Sequence, residues 1–513
     1  MFAVIDIGMT NKKVAIYDES LCLLDAQYRN FEPMIINGLP CHDLEAMETW
    51  FLDQLKIAAR RFPIKAIAIS THGATFVCVG KDGKAALPCV YYTHEPGEQF
   101  HDEFYSTFGD ARKLQARTGT PAFKAMINPA KGLFFAQQQF PDAFKQACAV
   151  LPYPQYWGFR LTGKMGAEGT YMGNHTYLWD QIDNCLSSVA HDLGIADLVP
   201  HTLCKSWDVL GTLSEEASVK SGLPRETIVT MGIHDSNSAM LPHFAKKGEK
   251  GFILNSTGTW CVIMNPVDAY GFAPDELGKV VFFNISAFGT PIKTAIFLGG
   301  LEFETWADIV LPQHKFTETP AWDEDLYRSV LREKKLFLLP ELTRGSGQFP
   351  ASRARIVEHR IDYFYDDIKT RTAAARTIGA NPPCFHDPQR FFAALRISLL
   401  MQTMTALERI GIHDGLDIYT EGGFRRDDSY NILLASAYPH NKVYLTDIDE
   451  AAALGAAMTA KMAMSKMSLR DLADDFKIGY YEQENRYFPE LEAYRADWLD
   501  LARMALPGEH SVD

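Results

Sequence analysis

Asp235, in the run TMGIHDSNSAM, follows a short apolar approach that turns at Gly232 and delivers His234, Asp235 and Ser236 as consecutive polar groups. A carboxylate so placed can take the proton of a hydroxyl as that oxygen attacks. The same position also suits an Asp that caps a following helix. Soon after comes GFILNSTGTWCVIMNP, two apolar runs joined by Asn255, Ser256, Thr257, Gly258 and Thr259. Hydroxyls and backbone N–H groups in so small a turn can close round an anion, which makes it a candidate phosphate turn. Ser-Thr-Gly is equally a common hairpin connection. A third constellation opens the chain: in FAVIDIGMTNKKVAIYDES, the turn between two apolar runs holds Asp6, Gly8, Thr10, Asn11, Lys12 and Lys13. Magnesium and phosphate together need such a mixture: oxygen ligands for the ion, small donors for the phosphate, and positive charge for the rest. A plain surface hairpin with solvated lysines has the same pattern.

These residues need elements to hold them. Both candidate phosphate turns join strand-length apolar runs, one at the start of the chain and one over Gly251 to Pro266, which implies two related halves. In that arrangement the two turns face each other across a cleft and hold one nucleotide between them. The KKGEK run, Lys246 to Lys250, reads as a solvated linker between the halves, predicting domains over 1–245 and 246–505 and a disordered tail over 506–513. In the first half, Leu44, Met47, Phe51, Leu55 and Ala58 fall at helical spacing behind a capping Asp43, so a helix packs on the sheet. IKAIAIS reads as a buried strand ending at Thr71, and α/β proteins place ligands at strand ends. His72, Gly73 and Thr75 are therefore candidates for a substrate pocket.

YYTHEPGEQFHDEF, from Tyr91, offers His94, Glu95, His101 and Asp102, but Pro96-Gly97 breaks any metal-binding H-E-x-x-H register. It reads as a polar loop whose Glu95 is the member placed to meet a sugar. GFRLTGKM matches a P-loop until Met165 stands where Ser or Thr is required, and no strand precedes it, so that reading is rejected. In the second half, PQRFFAALRISLLMQTMTALERIG is one long helix from Pro388 that Gly411 ends. LDIYTEGGFRRDDS is a strand that stops at Glu421, where Gly422 and Gly423 let a planar ligand or a phosphate approach the backbone. KVYLTDIDEAAALGAAMTA gives strand, turn and Ala-rich helix, with Gly455 allowing tight packing.

Composition narrows the class. A chain of 513 residues implies two or three domains, and 47% hydrophobic with 22% charged residues is ordinary globular usage. The formal charge of -14, from 64 acidic against 50 basic side chains, disfavours nucleic acid or an anionic membrane as partner. Nine scattered cysteines without a C-x-x-C pair read as free core thiols in a reducing compartment. With no signal peptide and no apolar run of membrane-spanning length, a cytoplasmic location is the expectation.

Taken in order, DIGMTNKK, RLTGK, GIHD, NSTGTW, EGG and EAAALGAA resemble the FGGY carbohydrate kinases of the two-domain actin-like and hexokinase (ribonuclease H-like) α/β fold. Among subgroups the chain looks most similar to the rhamnulokinase and fuculokinase type. The resemblance implies Asp235 as proton acceptor, with His234 and Ser236 near the sugar and Gly73 at a sugar-contacting backbone position. It implies Thr10, Asn11, Lys12, Lys13 and Thr259, with Thr257 and Gly258 of the same turn, on ATP phosphates. It sets Asp6 near Mg2+ and Gly422 or Gly423 near adenosine. Departures are Lys13 for the usual Arg, His94 and Pro96 after Tyr92, Phe297 for a sugar-binding Asn, and Phe134 for Trp in a stretch that retains Lys131. They cluster on the sugar side.

The expected function is transfer of the γ-phosphate of ATP to a hydroxyl of a small sugar, a ketose or deoxyketose such as L-rhamnulose or L-fuculose. The alternatives are another substrate of the family (pentulose, polyol or sugar acid), a non-catalytic sugar or nucleotide sensor, and a metal hydrolase built on His94, Glu95, His101, His234 and Asp235. Sugar and ATP are the expected partners, and the sequence leaves a homodimer open without specifying the oligomeric state.

Overall fold

The structure, a computed structural model, describes residues 1–314, 316–373 and 381–504. The tail expected over 506–513 lies outside the described residues. Two compact units divide the chain: Met1–Gly251 with Pro266–Lys293 and Asp449–Lys477, and Phe252–Asn265 with Thr294–Ile448 and the residues from Ile478.

In the first unit, β1 (Phe2–Ile7) and β2 (Asn11–Tyr17) form an antiparallel hairpin in which Asp6 pairs with Lys13. A third strand, β3 (Leu23–Asn30), continues the antiparallel ribbon on β2, and strand Ala66–Thr71 lies parallel on the other side of β1. The sheet runs on through Ile228–Thr230 to Val209–Thr212, and Ile233–His234 pairs with the end of Ala66–Thr71. Every residue of Ala66–Thr71 is buried, as a strand covered on both faces requires. Helix Leu44–Ala59 starts at an Asp43 cap whose carboxylate accepts the Ala46 N–H, and it buries Leu44, Met47, Phe51, Leu55 and Ala58, the face that the spacing predicts.

The second unit repeats the plan. Strand Phe252–Thr257 pairs antiparallel with Cys261–Pro266 and parallel with Asp417–Gly422, which continues to Val443–Thr446 and Tyr480–Glu482. In both units, then, an antiparallel hairpin is extended by a parallel strand along its first member. This is the duplicated α/β arrangement that the two similar hairpins predict. Helix Pro388–Arg409 buries most of its length in this unit.

Several local expectations need correction. Lys12 and Lys13 lie in β2 and are buried, so the turn itself is only Gly8 to Thr10. The polar stretch from Tyr91 is a loop only as far as Gly97, since Glu98–Phe108 is a helix burying Phe100, His101, Phe104 and Phe108. Lys246 and Lys247 form the last turn of helix Asp235–Lys247 rather than a free linker, and the Lys246 ammonium donates to the Ala473 and Phe476 carbonyls. The cysteines are free but not all in the core: Cys22, Cys148 and Cys185 are exposed.

Candidate functional site

Asp235 is the first residue of helix Asp235–Lys247, directly after the two-residue strand Ile233–His234. Its Oδ1 accepts the Ser236 backbone N–H at 2.6 Å and the Ser236 hydroxyl at 3.2 Å. The helix cap is His234, whose Nδ1 accepts the Ser236 N–H at 3.2 Å. Asp235 is therefore anchored through one oxygen, while Oδ2 has no hydrogen bond among the described residues and a third of the side chain (33%) is exposed. Burial raises its carboxyl to about 6 against the opposing Ser236 bonds, in the range where a carboxylate is a stronger base than usual.

A buried network holds this strand end. The His234 N–H donates to Thr170 Oγ1 at 3.1 Å, and the Thr170 hydroxyl donates to Glu168 Oε2 at 2.6 Å. Glu168 also accepts from the Ser206 hydroxyl and the Tyr171 N–H, and burial pushes it up to about 7. The Tyr171 hydroxyl, in turn, binds the Thr75 N–H and carbonyl and the His72 carbonyl. Gly73 and Thr75 are thus fixed against the strand that carries His234. A Cβ on Gly73 would stand 2.7 Å from the Nε2 atoms of both His175 and His234, so the ring pair occupies the face that glycine leaves open.

The first hairpin is closed by the Gly8 N–H donating to the Asn11 carbonyl at 2.9 Å, with Thr10 and Asn11 exposed beside it. Lys12 folds back on the turn and donates to the Met9 carbonyl at 2.6 Å, and burial lowers its ammonium to about 8. Lys13, on the other face of the strand, donates to Asp6 Oδ2 at 3.1 Å and to the Glu450 carboxylate, which also accepts from the Tyr28 hydroxyl at 2.8 Å. Burial disfavours the Lys13 charge, but Asp6 and Glu450 outweigh it and raise its pKa. Asp6 itself is raised, chiefly by burial, with the Asp235 and Glu450 charges adding to the push against Lys13. Magnesium is commonly held by one or two carboxylates, with water and substrate phosphates completing its shell. Asp6, near Asp235 and at the end of a strand leading into an exposed turn, fits that donor set.

In the second unit, the turn Gly258–Trp260 leaves Gly258 and Thr259 exposed. Thr257 lies in the strand instead. Its hydroxyl donates to the Glu421 carbonyl and accepts the Phe424 N–H at 2.9 Å, so it fastens the turn to the Gly422-Gly423 bend. Gly422 has φ +78°, and a Cβ there would meet the Thr257 carbonyl at 1.8 Å. On the other side, a Cβ on Gly300 would meet the Gly258 carbonyl at 2.0 Å. Glycine is obligatory at both close approaches. Together these backbones form a small exposed frame of the kind that lies against phosphate or a flat ring.

Glu95 binds its own loop: Oε1 accepts the Gly97 N–H and lies 2.8 Å from His101 Nε2, and Oε2 accepts the Ala125 N–H. The His94 ring meets Phe135 at a tilt, with centroids 5.3 Å apart. Among the described residues no three His, Cys, Asp or Glu side chains gather as a metal site. Sequence reasoning missed His175, Glu168 and Glu450, because nothing local distinguishes a functional histidine or a helix-start glutamate from a solvated one. The buried position of Glu168 had no signal at all.

Each unit is an antiparallel hairpin extended by a parallel strand, and comparison with known proteins identifies the family that shares this plan. The N-terminal domain of the FGGY family of carbohydrate kinases matches residues 1–242 and the C-terminal domain of carbohydrate kinase FGGY matches residues 249–467. The chain belongs to the FGGY family of carbohydrate kinases. L-fuculokinase of Escherichia coli (strain K12) is 25% identical over 51% of this chain and 55% of its own length, and rhamnulokinase of Halalkalibacterium halodurans is 26% identical over 50% and 55%. The chain thus spans about half the length of the curated relatives it matches. A carbohydrate kinase from Novosphingobium aromaticivorans superposes with TM-score 0.76 at 27% identity, covering 97% of both chains. Ligand-bound xylulose kinase from Lactobacillus acidophilus, at 17% identity, shares the fold with TM-score 0.75 over 98% of this chain and 96% of its own. No helix among the described residues is long and apolar enough to cross a membrane.

Proposed function

We propose that this protein transfers the γ-phosphate of ATP to a hydroxyl of a small sugar, with a ketose or deoxyketose such as L-rhamnulose or L-fuculose as substrate. The observation that carries the reading is Asp235: one carboxylate oxygen anchored on Ser236, the other without a protein partner, and a pKa lifted by burial to about 6. Phosphoryl transfer asks for positioning, charge neutralisation and a base for the attacking hydroxyl. Asp235 takes the hydroxyl proton, and His234, Ser236, Gly73, Thr75 and Glu95 are assigned to the sugar side. Thr10, Asn11, Lys12, Lys13, Thr257, Gly258 and Thr259 are assigned to the phosphates, and Gly422 and Gly423 to adenosine. Lys13 does its part through the ion pairs it makes with Asp6 and Glu450. Asp6 would hold a magnesium ion, which would supply charge to offset that of the phosphates. Sugar binding, first phosphate turn and base fall to residues 1–245, second turn and adenosine site to 246–505.

An ADP-release screen of L-rhamnulose, L-fuculose, D-xylulose, glycerol and D-gluconate tests the reading. One of the two deoxyketoses should turn over fastest. ADP release that no sugar stimulates would leave a sugar or nucleotide sensor as the function.

A further inference from the structure

Two histidines from distant parts of the first unit converge on Gly73. His234 Nε2 and His175 Nε2 each lie 2.7 Å from the point a Cβ on Gly73 would take, and neither nitrogen has a hydrogen bond among the described residues. The opposite ring nitrogens decide what each Nε2 can offer. His234 Nδ1 accepts the Ser236 N–H at 3.2 Å, so its proton sits on Nε2 and that atom is a donor. His175 Nδ1 lies 2.9 Å from the Ile127 carbonyl, which only accepts, so the His175 proton is on Nδ1 and its Nε2 is a bare acceptor. Burial holds both imidazoles down at about 3, so both are neutral near pH 7.

His175 is also held in an unusual backbone state, φ +37°, which a residue with a side chain adopts only under constraint from its surroundings. Phe123 and Phe282 meet its ring edge to face, with centroids at 6.2 and 6.3 Å, and so set its orientation. An unpaired donor and an unpaired acceptor, oriented by separate elements and brought together over Gly73, are matched by a group that both accepts and donates.

We propose that His175 and His234 form a hydroxyl-recognition pair for the sugar, His234 Nε2–H donating to the hydroxyl oxygen and His175 Nε2 accepting its proton, with Gly73, which lacks a side chain, letting the two rings stand this close together. This rests on the sugar-kinase reading for the class of ligand and adds His175 as a specificity-determining residue. A hydroxyl satisfies both nitrogens. A carbonyl leaves the His175 lone pair unmatched, and a deoxy carbon leaves both unmatched. Asp235 Oδ1 lies 3.4 Å from His234 Nδ1, across the ring from Nε2, so the hydroxyl recognised at Nε2 and the phosphoryl acceptor at Asp235 are different groups of one sugar. The substrate class is a polyhydroxy compound with a second free hydroxyl besides the phosphoryl acceptor.

The test compares wild type, His175→Phe, His175→Asn and Gly73→Ala on whichever sugar of the screen the wild type phosphorylates, and on its monodeoxy analogues. In wild type, one deoxy position should lower kcat/KM by about a hundred-fold or more, because a site built for a hydroxyl strands its own polar groups when the hydroxyl is missing. In His175→Phe that discrimination should fall to near unity, with KM for the parent sugar up at least about ten-fold and kcat within about three-fold. Asn tolerates a left-handed backbone and keeps an acceptor, so His175→Asn should recover part of the discrimination. Unchanged KM and discrimination in His175→Phe overturn the pair and leave the kinase reading standing.

Should His175→Phe fold poorly, Gly73→Ala decides: its methyl displaces both rings and should abolish sugar binding by calorimetry in protein that still melts cooperatively, at a somewhat lower temperature. Retained binding in that variant overturns the pair. If wild type binds a sugar without turning it over, and Gly73→Ala loses that binding, the pair stands and the kinase reading fails. If wild type neither binds nor turns over any sugar of the panel, both fail. Long-range 15N spectra of histidine-labelled wild type check the chemistry directly, with His175→Asn identifying the His175 resonance: an Nδ1–H tautomer is expected there, and an Nε2–H tautomer overturns the assignment.

Discussion

Replacing Asp235 by Asn separates catalysis from capping, because the amide keeps nearly every contact of the carboxylate. Its Oδ1 can still accept the Ser236 N–H at 2.6 Å and the Ser236 hydroxyl at 3.2 Å, and only Oδ2, which binds nothing among the described residues, becomes an NH2. The stability change can be signed from the pKa. An acid raised in the folded state, here from 3.8 to about 6, penalises folding once ionised, and the penalty is fully present above pH 6. At 1.36 kcal/mol per unit the raw figure is about 3 kcal/mol. With a third of the side chain exposed, solvent screening reduces this to about 1 kcal/mol. Asn removes that penalty and gives up a helix-dipole contribution of roughly 0.3–1 kcal/mol from an acid in the first turn. The two nearly offset each other, so Asp235→Asn should melt within a few degrees of wild type, on the high side if anything.

Kinetics should move far more. Loss of a positioned base lowers turnover about 10²- to 10⁴-fold, or roughly 3–5 kcal/mol of barrier. The assay is sugar-dependent ADP release under saturating ATP, with sugar and ATP affinity measured separately by calorimetry. More than about a tenth of wild-type turnover in folded Asp235→Asn would refute the base assignment. Turnover and melting temperature both held would leave Asp235 a contact residue of the helix start only, since Asn caps a helix about as well as Asp.

The same carboxyl sets a pH dependence: kcat/KM should fall as pH drops through about 6, where Asp235 takes up a proton, and a profile flat down to pH 5 would contradict it. Lys13→Ala should destabilise the first unit by about 3 kcal/mol, since it leaves Asp6 and Glu450 facing each other without their cation, and chemical denaturation measures this. An unaltered midpoint would mean water compensates the pair. Gly455→Ala sets a Cβ 1.9 Å from the Ser238 carbonyl of helix Asp235–Lys247, so the helices must part. A loss of about 1–3 kcal/mol with reduced turnover is expected, and unchanged melting would show that the backbone yields freely.

Much of this was legible from the chain because the deciding signals are local. The two hairpins announce themselves as apolar run, small polar turn, apolar run. Asp43 and the spacing from Leu44 to Ala58 specify a helix with one buried face. The errors occur where burial depends on residues far away. Lys12 and Lys13 look solvated beside Asn11, yet the strands on either side of β1 and β2 make this ribbon interior, and strand alternation sends the two ammonium groups to different faces. Glu98 to Phe108 reads as polar loop because Pro96-Gly97 interrupts the pattern just before the helix starts.

Glu450 shows why the charge balance of the first hairpin could not be read locally. At the start of helix Ala451–Ser465 an acid is an ordinary cap, but this one makes no cap hydrogen bond and instead neutralises Lys13 from the far end of the chain. That pairing requires Asp449–Lys477 to belong to the first unit. Gly455 permits the return, since without a side chain its helix can approach the Ser238 carbonyl and pack against the helix that begins at Asp235. The glycine was visible in EAAALGAA as a packing residue, but not what it packs on. One close approach therefore ties the Lys13 ion pair to the helix that begins at Asp235, and a substitution at Gly455 should disturb that pair as well as the setting of Asp235.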